Sequence, residues 1–184
     1  MGRRSGRGVS IGPLDEPERE ATLAAFDHAR AVFEEAVRGA PDAALRHRAT
    51  GDDYALGGLV VHVTQVLEHY TDVLNAIHTA DWQSPQAPPS VTSDVDAVLI
   101  RDGFGGDSRA DVLARLREAH TALVNAVRAE PAEWFSRPAP VTYSGSSEPY
   151  PTSPADVVGW VRNHYAEHTQ QIGELVADWA TATR

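Results

Sequence analysis

The sequence predicts an all-α domain built as a four-helix bundle. Three observations carry that prediction. Four segments of about 20 to 28 residues place apolar side chains at steps of three and four. Helix start and stop signals bound these segments. No segment shows the period-two alternation of a convincing strand.

The first helix is expected from about Glu16 to Arg38, with Leu23, Phe26, Val32 or Phe33, and Val37 facing inward. Pro17 suits a first turn, acidic residues follow it, and Gly39-Ala-Pro41 ends the segment. The second runs from about Tyr54 to Thr79 through Leu56, Leu59, Val63, Leu67, Tyr70, Leu74 and Ile77. The third opens at Ser108, which with Asp111 resembles a capping box. It continues through Leu113, Leu116, His120, Leu123 and Val127 and stops before Pro131. The fourth begins at Ser153-Pro154-Ala-Asp156, an N-cap serine with proline at the first helical position. Its seam is Val157, Val161, His164, His168, Ile172, Leu175 and Trp179.

The connections set the topology. Helices two and three are joined by a Pro/Gly-rich stretch from about Ala80 to Asp107. A helix of about 26 residues is about 39 Å long, and some 28 extended residues span more than that. The link can therefore run the length of the bundle and leave helices two and three parallel, an up-down-down-up order. The connection from helix three to helix four, about Glu130 to Thr152, is also long and carries Trp134, Tyr143 and Tyr150. Loops of that length in a small domain are often functional.

Composition removes whole classes of chemistry. The 184 residues include no cysteine and no lysine. Disulfides, thiolate nucleophiles, zinc fingers, iron–sulfur clusters, a P-loop lysine and a Schiff-base lysine are all excluded. Net charge is −10, and setting aside Arg3, Arg4 and Arg7 leaves the remainder near −13. Such a body repels phosphate backbones, so no nucleic-acid partner is expected. No apolar run approaches the ~20 residues that span a bilayer, so no membrane partner is expected either. Residues 1–12 are rich in Gly, Arg and Ser and are expected to form a disordered arm, with residues 13–184 as one domain. Lack of an apolar export signal and of cysteine places the protein in the cytoplasm.

The eight histidines are about twice an ordinary share. His164 and His168 stand i, i+4 on the apolar seam of the fourth helix, so they share one face. Two readings fit: a pair of hydrogen-bonded core histidines, or two ligands of one metal ion. His62 lies beside the main seam of the second helix and can point inward. Three buried imidazoles without a task cost hydrogen bonds and gain little packing, whereas three around one ion form an open metal site.

The run Tyr54-Ala-Leu-Gly-Gly-Leu-Val-Val-His62 resembles the second-helix motif of the DinB/YfiT-like superfamily. His164-Tyr-Ala-Glu-His168-Thr-Gln-Gln171-Ile172 resembles its fourth-helix motif, and the long second connection fits its up-down-down-up bundle. The resemblance covers roughly Glu16 to Ala180, with Tyr54 standing where tryptophan is more usual. It implies a metal triad of His62, His164 and His168, a divalent ion (zinc or nickel), and a cytoplasmic, often dimeric protein. Its better-understood branches resemble thiol-dependent transferases and isomerases that use mycothiol or bacillithiol.

His164-x-x-Glu167-His168 also matches the H-x-x-E-H metalloprotease pattern, but only 16 residues follow His168 and a distant third ligand has no place there. Glu167 is a candidate for a catalytic proton acceptor or a residue orienting a ligand histidine. His120, Tyr143 and Tyr150 are candidate substrate contacts. His69 lies seven residues from His62, a rise of about 10.5 Å, and cannot share its ion. His28, His47 and His78 have no partner at useful spacing and read as surface residues. The serines of the third connection have no base at fixed spacing, so a serine hydrolase has no support.

The expectation is a metal-dependent enzyme acting on a small electrophile by thiol transfer, isomerisation or hydrolysis. Any sulfur nucleophile would come from a low-molecular-weight thiol cosubstrate, since the chain has none of its own. A non-catalytic bundle that binds or sequesters a small molecule, with the metal structural or absent, is the alternative.

Overall fold

The computed structural model describes residues 15–184, and the expected N-terminal arm lies outside them. The described residues form five α-helices: α1 Asp15–Gly39, α2 Leu56–Thr79, α3 Asp94–Asp102, α4 Arg109–Ala129 and α5 Pro154–Ala182. Four of them match the predicted bundle. Two strands, β1 Ala139–Val141 and β2 Tyr150–Thr152, pair antiparallel with Pro140 opposite Pro151.

Polar contacts between helices fix their directions. Glu34, Asp27 and Glu20 of α1 meet Arg117, His120 and Arg128 of α4, an antiparallel sequence of pairs. His78 at the end of α2 meets Glu130 just past α4, while Glu68 meets Arg115 earlier in both helices, so α2 and α4 are parallel. Tyr70 and His62 of α2 face Trp160 and His164 of α5, again antiparallel. The order is up-down-down-up, as the length of the second connection predicts.

The core is the seam read from the sequence. Leu23, Phe26, Phe33 and Val37 of α1 are fully buried, as are Leu59, Val63 and Leu67 of α2 and Leu116 and Leu123 of α4. Each such side chain contributes about 1.5–3 kcal/mol by leaving water. Of the two residues offered for one α1 position, Phe33 is inside and Val32 is 43% exposed. Glu34, beside Phe33, is buried too. Burial pushes its carboxyl pKa up, but Arg117 and Arg30 outweigh that and hold it below the usual carboxylate range.

Three expectations need correction. The second connection contains α3, a nine-residue helix capped by Ser93, whose side chain accepts from the Asp96 N–H. It is too short for a periodicity argument, and Val95 and Val98 on it are exposed. The third connection contains the β1–β2 hairpin where no strand was expected, because three-residue strands that each contain proline lack a readable alternation. Ser108 precedes α4 as predicted but makes no side-chain cap, since it ends the 3-10 turn Gly106–Ser108 and has helical backbone angles. Ser153, by contrast, forms the full capping box with Asp156.

Helix α3 lies against the start of α2. Ala55 N–H donates to the Ile100 carbonyl at 3.0 Å. A Cβ on Gly58 would fall 1.9 Å from that same oxygen, so only glycine permits this approach. The chain leaves α3 through Gly103 at φ +67°, a left-handed turn. After α2, the Ala87 N–H donates to the Thr142 carbonyl, tying the second connection to the hairpin. No helix among the described residues is long and apolar enough to cross a membrane.

Candidate metal centre

Antiparallel packing of α2 on α5 brings His62 opposite His164 and His168. The Nε2 atoms of His62 and His164 are 3.0 Å apart, and those of His164 and His168 are 3.2 Å apart. All three rings offer a nitrogen within 4.8 Å of the others. Ligand nitrogens at about 2.0–2.1 Å from a tetrahedral ion stand roughly 3.3 Å from one another, so the spacing suits a single ion.

Proton counting points the same way. His168 Nδ1 is 2.8 Å from Gln171 Oε1, which fixes Nδ1 as the donor and leaves Nε2 a bare lone pair in the neutral ring. His164 Nε2 has one in-plane valence, either a hydrogen or a lone pair, yet it faces two nitrogens. One of its two contacts is therefore always unmet by protons alone. A cation at the point where the lone pairs converge satisfies all three. Three neutral imidazoles leaving a coordination position open are a donor set suited to zinc or nickel.

The surroundings keep the rings neutral. Burial, and then the charge of His168, pushes the His62 pKa down to about 4. Burial, followed by His168 and His62, brings His164 down to about 4 as well. His168 is lowered by burial against the opposing pull of Gln171 and Glu167. Neutral imidazole is the form that binds metal. Tyr54 covers the cluster, its ring centroid 4.7 Å from His62 and 6.0 Å from His168.

The other predicted site residues fall at different distances from this cluster. Glu167 is exposed and lines a cleft of about 480 Å³ together with Asp52, Gln170 and Gln171. His120 is buried among α1, α4 and α5. Its ring stacks on Phe26, its Nε2 is 2.8 Å from Asp27 and its Nδ1 is 3.3 Å from the Tyr165 hydroxyl. Tyr143 pairs its hydroxyl with Thr152 at 3.1 Å, bracing the hairpin. Tyr150 is 55% exposed and packs against Trp160, 6.0 Å between centroids. The hairpin thus reaches the site through Trp160. His47 and His78, read as surface residues, each meet a carboxylate distant in sequence, Asp178 and Glu130.

Two clefts flank the triad. His62 opens on one of about 570 Å³ with Arg48, Asp53, Gln65 and Arg101 on its walls. His164 opens on another of about 260 Å³ with Val66, Tyr70 and Trp160. Sequence reasoning missed the Gln171 contact, although its i+3 spacing from His168 places it on the same helical face. It also missed Tyr165, fully buried behind the site against Phe26 and Phe33.

The family model of the DinB superfamily matches residues 25–172 of the chain. The chain belongs to the DinB superfamily. Among solved structures of this fold it is similar to YfiT from Bacillus subtilis, described as a probable metal-dependent hydrolase with an unusual four-helix bundle topology. The two share 15% sequence identity with a TM-score of 0.68, covering 97% of this chain and 94% of YfiT. That likeness shows a shared four-helix bundle fold. A search of curated proteins gives no match.

Proposed function

We propose that the protein is a metal-dependent enzyme acting on a small electrophilic molecule, with His62, His164 and His168 as the ligands of one divalent ion. The observation that carries the reading is the convergence of three neutral Nε2 atoms, two pairs of them 3.0 and 3.2 Å apart, with too few protons to satisfy one another. A divalent ion held there would act as a Lewis acid and bring the pKa of a bound water or thiol into the neutral range.

The chain's own residues supply the rest. Gln171 holds the His168 ring in the tautomer that presents Nε2. Tyr54 shields the cluster from one side and limits the access of water. Glu167, whose charge acts on His168 and whose side chain is exposed on the cleft next to Gln171, would serve as the proton acceptor for the nucleophile. The reaction is hydrolysis when water is the nucleophile, in keeping with the description of YfiT. It becomes transfer or isomerisation when a low-molecular-weight thiol such as mycothiol supplies the thiolate, since this chain has no cysteine.

The test is turnover by protein purified without an affinity tag and reconstituted with zinc or nickel. Activated esters and alkylating electrophiles are offered with and without mycothiol, bacillithiol or cysteine. Metal-dependent turnover that disappears in His164→Ala is the expected result. Metal bound at full occupancy with no turnover of any pair would favour a binding protein instead.

A further inference from the structure

The cleft beside His164 differs in chemistry from its neighbour beside His62. Its walls are the rings of Tyr70 and Trp160, 5.7 Å between centroids and tilted by 47°, with Val66 beside them. His69 lies 5.2 Å from Tyr70, and Tyr150 of the hairpin backs Trp160 from outside. Four rings thus form a continuous aromatic array. The cleft beside His62 is more polar, with Arg48, Asp53, Gln65, Thr92 and Arg101 on its walls beside Tyr54 and Ile100.

The helices explain why the aromatic cleft starts at the triad. Tyr70 lies eight residues beyond His62 on α2, and Trp160 lies one turn before His164 on α5. The helices are antiparallel, so both runs lead away from the triad in the same direction, along the α2–α5 groove toward the hairpin. His164 forms the inner end of the cleft.

We infer that this cleft is a specificity pocket taking a ring-sized apolar group of the substrate, preferentially aromatic, whose reactive end lies at the triad. The inference rests on the metal-site reading of that triad. Size selects the occupant. An apolar cavity of about 150 Å³ holds benzene, so about 260 Å³ accommodates a ring with a short linker. A helix or strand of another protein would not fit. Aromatic walls favour a ring through tilted and offset contacts, and the Ser90 and His69 side chains can meet one polar substituent.

Two chelators with the same metal-binding head test it: phenylacetohydroxamate, which carries a ring, and acetohydroxamate, which does not. On the zinc-reconstituted protein the ring is expected to tighten binding by about tenfold. Trp160→Ala is expected to bring the two affinities within about twofold of each other, with zinc content and acetohydroxamate affinity unchanged, while Trp160→Phe keeps most of the preference. Tyr70→Ala serves as the second variant should Trp160→Ala fail to fold. Equal affinities on the wild-type protein, or a preference that survives both alanine variants, would overturn the inference. A separate arm uses metal-free protein and benzyl alcohol, following the indole N–H resonance of Trp160, assigned by its loss in Trp160→Phe. A saturable shift supports the pocket even where no zinc is taken up, so a failed metal site is told apart from a failed pocket. An unmoved resonance in that arm counts against the pocket.

Discussion

The Nε2 atoms of His62 and His164 stand 3.0 Å apart although their positions are 102 apart in the sequence. His164 also reaches His168 Nε2 at 3.2 Å, which makes it the central nitrogen of the cluster. Its removal therefore separates the site from the fold most cleanly. In His164→Ala, bound metal should drop from one ion per chain to below about a tenth, because two ligands from different helices do not close a stable site. The bundle should persist, since its core of Leu23, Phe26, Leu59, Leu116 and Tyr165 is independent of the ion. Metal analysis and far-ultraviolet circular dichroism read the two outcomes. An unfolded variant would make the metal structural and weaken the enzymatic reading.

Gln171 offers a subtler perturbation. Its Oε1 accepts from His168 Nδ1 at 2.8 Å and so orients that ring. Gln171→Leu should weaken metal affinity by about 10–100-fold without altering helical content. Gln171→Glu keeps an acceptor and should recover most of the loss. Competition with a chromophoric chelator measures both.

Acid should destabilise the metal-free protein in a defined window. His62 and His164 have pKa values of about 4 in the fold, below the ordinary 6.5. Between those limits the unfolded chain binds more protons than the native one, so stability falls as pH falls. Well above pH 6.5 these groups are neutral in both states and contribute little slope. Thermal melts of the metal-free protein should show Tm nearly constant from pH 8 to 7 and declining from 6.5 toward 4. The double variant His62→Ala/His164→Ala should decline less steeply there. Identical slopes would show that the triad does not carry the effect.

Much of this arrangement is legible in the sequence, and the reasons differ by element. The long helices announce themselves because each buries a seam over several turns. The triad is legible because His164 and His168 fall on such a seam, and because His62 sits beside another within a recognisable superfamily motif. At one α1 position the period alone could not choose between Val32 and Phe33, since neighbours differ by only 100° of helical rotation. Packing against Tyr165 settles it for Phe33, 5.4 Å between ring centroids. Helix α3 is invisible to periodicity because it is short and its valines face outward. Its position depends on the close approach of Gly58 to the Ile100 carbonyl and on the Asp96 carboxylate, which accepts from Arg115 and Gln65. The aromatic array from His69 to Tyr150 draws on α2, α5 and the hairpin, so it exists only once the chain is folded.

That glycine yields a stability prediction. Gly58→Ala places a methyl group 1.9 Å from the Ile100 carbonyl oxygen, a backbone atom that cannot rotate away. The gain in helix propensity is outweighed by the clash, and the expected net loss is about 1–3 kcal/mol. Urea denaturation measures it. Hydrogen exchange should show the loss of protection concentrated in Asp94–Asp102 and in the first turn of α2.

His62, His164 and His168 are proposed to hold one divalent ion. X-ray absorption at the metal edge, on protein purified without an affinity tag and loaded with one equivalent of zinc, tests it most directly. One ion per chain is expected, with three imidazole nitrogens at about 2.0–2.1 Å and a fourth, light-atom ligand, and a spectrum that loses imidazole scattering in His62→Ala, His164→Ala and His168→Ala alike. A chain that binds no zinc, or binds it with the same spectrum after those substitutions, would contradict it.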